Sequence, residues 1–280
     1  MYEAHFGLQE PPFALTPNTR YFMRAPSHSD ALELLLVALR AREGFIKITG
    51  EVGTGKTLLC RLLLNALTTE GAVTAYIPNP RLSPESLYQA VADELGVDVT
   101  AQGNPHRVLK SITDCLLEKA RAGQAVVLVI DEAQAMPEET IEALRLLTNL
   151  ETETARLLQV VLFGQPELDV LLKRDSLRQL KQRITFQYTL IPLDRGATAQ
   201  YVRHRLAQAG YNGQELFAPC AVKLLSRASG GIPRLLNVIA HKAMLVAWGM
   251  GDLHIEKAHV KRAVRDTDSA MSIGWLGRWL

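Results

Sequence analysis

The chain has 280 residues, too many for one small core and suited to one large domain or two modest ones. Its 31 basic and 29 acidic side chains nearly cancel, and 48% hydrophobic with 21% charged residues is the composition of an ordinary globular enzyme. That balance excludes a disordered chain and a generally basic, nucleic-acid-coating one.

In chain order, the opening "MYEAHFGLQEPPFALTP" lacks the charged start and apolar run of a secretory signal. No run in the sequence reaches the roughly 18 to 20 apolar residues that span a bilayer. A cytoplasmic chain is expected. Residues 1–27 read as an apolar, turn-rich extension packed across the core, and His28 begins the helix "HSDALELLLVAL". "GFIKITG" predicts a strand, Lys56 to Glu70 a helix, "AVTAYI" a second strand, and Ser83 to Leu95 and residues 105–122 two further helices. "AVVLVID" is an unbroken apolar run, as in a central parallel strand buried on both faces. "PEETIEALRLLTNL" opens a helix with Pro and acids, "LLQVVLFG" is another buried strand, and a last strand follows "LKQR". After about residue 192 only helical patterns follow: "TAQYVRHRLAQAG", "APCAVKLLSRASGG", "IPRLLNVIAHKAMLVAWG" and "IEKAHVKRAVRD". The expected fold class is α/β, a parallel sheet with helices on both faces over residues 28–192. A small all-α part follows over 193–268, and then an apolar tail, 269–280, carrying Trp275 and Trp279. Cys60, Cys115 and Cys220 are scattered and odd in number, so they read as core thiols in a reducing compartment rather than a disulfide or metal framework.

The stretch Gly50-Glu51-Val52-Gly53-Thr54-Gly55-Lys56-Thr57 fits GxxxxGK[ST], and it follows a predicted strand and opens a predicted helix, the context that makes this motif a phosphate loop. Glycines let successive N–H groups turn toward phosphate oxygens, and the helix N-terminus adds partial positive charge. Lys56 is then placed to reach the β- and γ-phosphates of ATP, and the Thr57 hydroxyl to ligate Mg²⁺. About 75 residues on, "VVLVIDEAQ" ends a strand in Asp131-Glu132. Asp131 suits the Mg²⁺ shell, and Glu132 suits the base that polarises an attacking water. An ATP hydrolase is favoured over a nucleotide switch.

These residues, with "YEAHFGLQEPPFALTPNTRYF", "YIPNP", "DEAQAMPEETIEALRLLTNLET", "LLQVVLFGQPEL", "LKQRITF" and "SGGIPRLLN", resemble AAA+ ATPases of the general secretion pathway protein A type, members that serve MSHA pilus biogenesis included. The resemblance runs over most of the chain. It implies a P-loop AAA+ core with a helical lid, and a homo-oligomer, ring or nucleotide-dependent assembly, in which one subunit completes the next subunit's site. It places Gln165 at sensor 1, although Asn or Thr is commoner there and a turn residue before Pro166 would look alike. It places Arg183 at the arginine finger, where an exposed cationic helix end would also look alike, and Arg234 at sensor 2 on a lid helix. His28 matches a residue near the adenine pocket, a helix-start role being the alternative.

Two functions follow. The first is an ATPase working through an inner-membrane component of a type IV pilus or type II-like secretion apparatus, with room for peripheral membrane contact through the Trp tail. The second is a DNA-associated AAA+ ATPase of the transposition-helper or replication-initiator kind, whose basic lid (11 Lys or Arg against 6 Asp or Glu over 193–268) would touch phosphates. Near-neutral overall charge, and no helix-turn-helix pattern after the lid, weigh against the second. Longer members continue into a membrane helix and a wall-binding region, so direct peptidoglycan engagement is not expected of this chain.

Overall fold

A computed structural model describes residues 1–16, 18–99, 104–149 and 156–271. By contacts the chain divides into two units: Pro26–Val52 with Lys56–Leu190, and Met1–Ala25 with Gly53–Gly55 and Ile191–Leu280.

The first unit is an α/β layer structure. Its strands are β1 (Phe45–Gly50), β2 (Val73–Ile77), β3 (Val126–Ile130), β4 (Gln159–Gly164) and β5 (Ile184–Leu190), in the order β2-β3-β4-β1-β5, every pair parallel. The alternation of strand side chains divides the apolar residues between two faces. Val126, Leu128 and Ile130 enter one cluster with Leu87, Ile112 and Leu144, while Val127 and Val129 enter another with Leu35, Leu59 and Leu63. The helices on the first face are α4 (Pro84–Glu94), α5 (Pro105–Arg121), α6 (Glu138–Leu147), α7 (Pro166–Leu171) and α8 (Arg178–Arg183). Those on the second are α2 (Pro26–Arg40) and α3 (Lys56–Thr69). Burial on both faces is why β3 and most of β4 read as apolar runs. Ser83 caps α4 by accepting from the Ser86 N–H, and Asn104 caps α5 by accepting from His106 N–H. Lys47 breaks the apolar run of β1, and its Nζ pairs with the Asp169 carboxylate, pinning α7 to the sheet.

The second unit contains α1 (Glu3–Phe6) and the four helices foreseen in the sequence: α9 (Arg195–Gln208), α10 (Pro219–Ser229), α11 (Pro233–Met250) and α12 (Lys257–Arg265). Residues 1–27 were expected to pack across the α/β core. Instead Tyr2, Phe6, Leu8, Phe13 and Tyr21 are buried in one cluster with Leu206, Phe217, Leu236 and Met244 of the helical unit. The cause lies in polar anchors the apolar pattern does not reveal. Tyr2 Oη bonds His241 Nδ1 at 2.8 Å, and the buried Arg205 donates to the Pro12 and Ala14 carbonyls at 2.5 and 2.9 Å. Cys60 is buried as expected, but Cys220 is exposed on α10, 3.9 Å from Glu256 Oε2. The Trp tail, from residue 272 on, lies outside the described residues. Among the described residues no helix is long and apolar enough to cross a membrane.

Candidate active site

β1 runs into Gly50, and the chain turns back through Gly53 (φ +83°) and Gly55 (φ +102°) before α3 starts at Lys56. Both glycines lie in the left-handed region, where an L side chain is strained, so the sequence pays for the curl with the residue type that tolerates it. Lys56 is nearly buried, its Nζ donating to the Gly50 and Glu51 carbonyls at 2.7 and 3.0 Å. Burial lowers its pKa, and the carboxylates of Glu132 and Asp131 act in the opposite sense. The next residue, Thr57, donates its hydroxyl to Asp131 Oδ2 at 2.8 Å. The two motifs, 74 positions apart in sequence, therefore meet at the carboxyl edge of the sheet.

Asp131 is 2% exposed, and burial raises its pKa against the lowering effect of the Thr57 hydroxyl and the Glu132 N–H, the latter donating to Oδ1 at 2.9 Å. A hydroxyl and a carboxylate oxygen side by side are a hard donor pair, the kind that Mg²⁺ accepts beside phosphate oxygens and water. On that chemistry Thr57 and Asp131 fit the ion.

Glu132 is one of two non-glycine residues with positive φ among the described residues, at +51°. A glutamate in that conformation costs about 1–3 kcal/mol unless its surroundings hold it. Here they do. Glu132 Oε2 accepts from Gln165 Nε2 at 2.9 Å and from Gln134 Nε2 at 2.6 Å, while the Gln165 N–H donates to Gln134 Oε1 at 2.9 Å. The strand order explains the meeting. β4 lies between β1 and β3, so its carboxyl end sets Gln165 between the phosphate loop and Asp131-Glu132. Gln134 was missed in the sequence reading. Its only signal was its place two residues after the glutamate in "DEAQ", and nothing local says that its amide turns back.

Arg183 lies elsewhere. It ends α8 just before β5, whose first residue Ile184 pairs with Phe45 while its last pairs with Gly50. Five residues of strand, roughly 16 Å, separate that level from the start of the phosphate loop, more than an arginine side chain spans. Its Nη1 is 3.5 Å from Thr148 Oγ1. In the helical unit Arg234 is the second residue of α11, and its N–H donates to the Gly53 carbonyl at 3.2 Å. A Cβ on Gly53 would lie 2.7 Å from the Arg234 Cβ. His28 is buried in the first turn of α2. The basic bias of the helices is partly spent internally: Arg205 is buried over the Tyr21 ring, 4.3 Å from its centroid, and Lys242 pairs with Asp266 at 2.8 Å. A cleft of the α/β unit, about 740 Å³, is lined by Gln134, Glu138, Glu139, Glu167 and Arg174. Carboxylate walls do not select a polyphosphate.

A family model described as AAA domain matches residues 39–172. General secretion pathway protein A of Aeromonas hydrophila is 43% identical over 274 residues, which is 98% of this chain and 50% of that protein. The chain thus spans about half the length of that curated relative. Among solved structures, the chain resembles Cdc6p from Pyrobaculum aerophilum (TM-score 0.72, 16% identity, 92% of this chain and 71% of that one). It also resembles ORC2 from Aeropyrum pernix bound to ADPNP and ADP (TM-score 0.65, 16% identity, 92% and 73%). The Thermotoga maritima RuvB Holliday junction branch migration motor matches with TM-score 0.60 at 14% identity, over 91% of this chain and 73% of that one. At such identities these three show the P-loop fold with its helical C-terminal part.

Proposed function

Because the chain belongs to the AAA+ ATPases of the general secretion pathway protein A type, we propose that it hydrolyses Mg²⁺-bound ATP at a subunit interface and thereby drives assembly of an envelope machine. The observation that carries the reading is the contact of Thr57 with Asp131, beside a glutamate held by two amides.

Each residue then has a task. The N–H groups of residues 50–57 and the start of α3 receive the phosphates. Lys56 exchanges its contacts with the Gly50 and Glu51 carbonyls for phosphate oxygens. Thr57 and Asp131 would hold Mg²⁺, which would supply Lewis-acid neutralisation of the phosphate charge. Glu132 takes the proton of the attacking water, which requires it to give up at least one amide partner, and Gln165 orients that water. Arg234, whose N–H donates to the Gly53 carbonyl, takes the sensor 2 role. Arg183, too far from its own loop, acts in a neighbouring copy, so the chain works as a homo-oligomer.

The partner proposed is an inner-membrane component of a type IV pilus of the MSHA kind or of a type II-like secretion apparatus, reached from the cytoplasmic side. Support comes from 43% identity along 98% of the chain to a protein named for the general secretion pathway. The engagement of Arg205 and Lys242 inside the helical unit weakens the DNA alternative.

The test uses three variants. Lys56→Ala should abolish nucleotide binding, and Glu132→Gln should bind ATP and stop hydrolysis. Arg183→Ala should be inactive alone and regain activity when mixed with Lys56→Ala. Normal turnover by Glu132→Gln would remove the assigned base, and ATPase stimulation by double-stranded DNA but not by membrane extract would overturn the envelope role.

A further inference from the structure

A second arginine lines the pocket of Arg183. At the N-terminal edge of the sheet a pocket of about 190 Å³ is bounded by Gly44, Phe45, Thr148, Arg156 and Arg183. Arg156 precedes β4 as Arg183 precedes β5, so the parallel sheet brings both guanidinium groups to the same edge, away from the loop after β1. Two like charges lining one small pocket repel each other, a cost that an anion between them reverses. The volume is below the roughly 300 Å³ of sites that take whole small molecules, and is suited to a phosphoryl group.

The surroundings fit that ligand. Gly44 lets Arg156 lie against bare backbone, since a Cβ there would be 2.7 Å from its Nη1. The carboxylate of Glu43, 3.7 Å from the same nitrogen, is a long ion pair of a kind that a phosphate can displace, because planar guanidinium forks match phosphate oxygens in pairs. Thr148, nearly buried, faces Arg183 and is itself fixed by donating to the Arg145 carbonyl at 2.8 Å.

We infer that Arg156 and Arg183 together form one receptor for the terminal phosphate of ATP held in the phosphate loop of a second copy of this chain. The inference rests on the reading of Arg183 as acting between subunits, and it adds a second catalytic residue at that junction.

The test is Arg156→Ala in the full chain, alone and mixed in equal amounts with Lys56→Ala, which keeps its arginines and lacks a working loop. Turnover should fall at least about tenfold, less than the roughly 10³-fold or more of a lone arginine acting in trans, because Arg183 remains. Fluorescent-ATP affinity should stay within about threefold of the parent, since the arginine belongs to another copy's site. Mixing should restore activity. In a Glu132→Gln background, ATP-dependent assembly measured by sedimentation should be lost when Arg156→Ala is added. Should the alanine variant misfold, Arg156→Lys, which keeps the stem against Gly44, must give the same mixing result. Wild-type turnover by Arg156→Ala would overturn the inference. So would a mixture that rescues Arg183→Ala but not Arg156→Ala, which would place Arg156 in its own subunit's fold while leaving the Arg183 reading intact. Rescue of neither variant would remove the intersubunit reading itself.

Discussion

Gln165 Nε2 lies 2.9 Å from Glu132 Oε2, although 33 residues and a change of strand separate the two. A carboxylate that accepts two amide hydrogens is less available as a base, and one that accepts none is poorly aimed. The residue proposed to orient the attacking water therefore also holds the residue proposed as its base, so a movement of the Gln165 amide toward the water would free one of the two contacts on Glu132 Oε2.

That coupling makes Gln134 a positioning residue. Gln134→Ala removes one partner of Glu132 and the acceptor of the Gln165 N–H together. Turnover should fall about a hundredfold, the scale of small misplacements in an active site. Binding of a fluorescent ATP analogue should be unchanged, because Gln134 faces the glutamate and not the loop. Weakened nucleotide binding in that titration would count against the assignment.

Thr57 should show a pH signature in stability. Burial raises the Asp131 pKa, and the Thr57 hydroxyl works against that rise. Thr57→Val removes the donor, so the folded-state pKa climbs further. A donor to a buried carboxylate contributes about 1.5–3 kcal/mol. That contribution is full above the raised pKa, where Asp131 is charged, and is lost as pH falls through it, where the carboxyl no longer needs the donor. Urea unfolding at pH 8 should therefore separate wild type from Thr57→Val, and the gap should close as pH falls through the raised Asp131 pKa, above the ordinary aspartate value.

Much of this was legible in the sequence, for identifiable reasons. Strands buried on both faces announce themselves as apolar runs, so "AVVLVID" and "LLQVVLFG" were placed as β3 and β4. The phosphate loop and Asp131-Glu132 lie within fixed local patterns, and so were visible. What the sequence withheld depends on strand order and on side chains that turn back. Gln134 looks like any polar residue after a strand. Arg156 gains meaning only because β4 and β1 are neighbours. The N-terminal segment goes to the helical unit because Arg205, nearly 200 residues away, offers it hydrogen bonds.

The paired glycines Gly230 and Gly231 should differ sharply when each is changed to alanine. Both have positive φ, which costs an alanine about 1–2 kcal/mol. At Gly230 the new methyl meets the Met271 side chain, which can swing aside. At Gly231 it would lie 2.0 Å from the Leu193 carbonyl oxygen, whose residue is tied by its own N–H to the Gly231 carbonyl at 2.9 Å. Only a backbone shift relieves that overlap. Gly230→Ala should lose about 1–2 kcal/mol by urea unfolding, and Gly231→Ala more than about 4 kcal/mol or the folded helical unit altogether.

Arg205 is counted among the basic residues of the helices, yet its geometry is that of a structural clamp. It is 6% exposed, donates to two carbonyls of the N-terminal segment and stacks on Tyr21. Arg205→Ala strands both carbonyls and removes a desolvated cation–π contact, together about 3 kcal/mol. The expected outcome is a lower unfolding midpoint and early proteolytic cleavage within residues 1–25. Retention by heparin or double-stranded DNA should not change, because a side chain enclosed by its own fold has no charge to offer a phosphate surface. A variant that kept its stability and lost such retention would instead make Arg205 part of an anion-binding face and revive the nucleic-acid alternative.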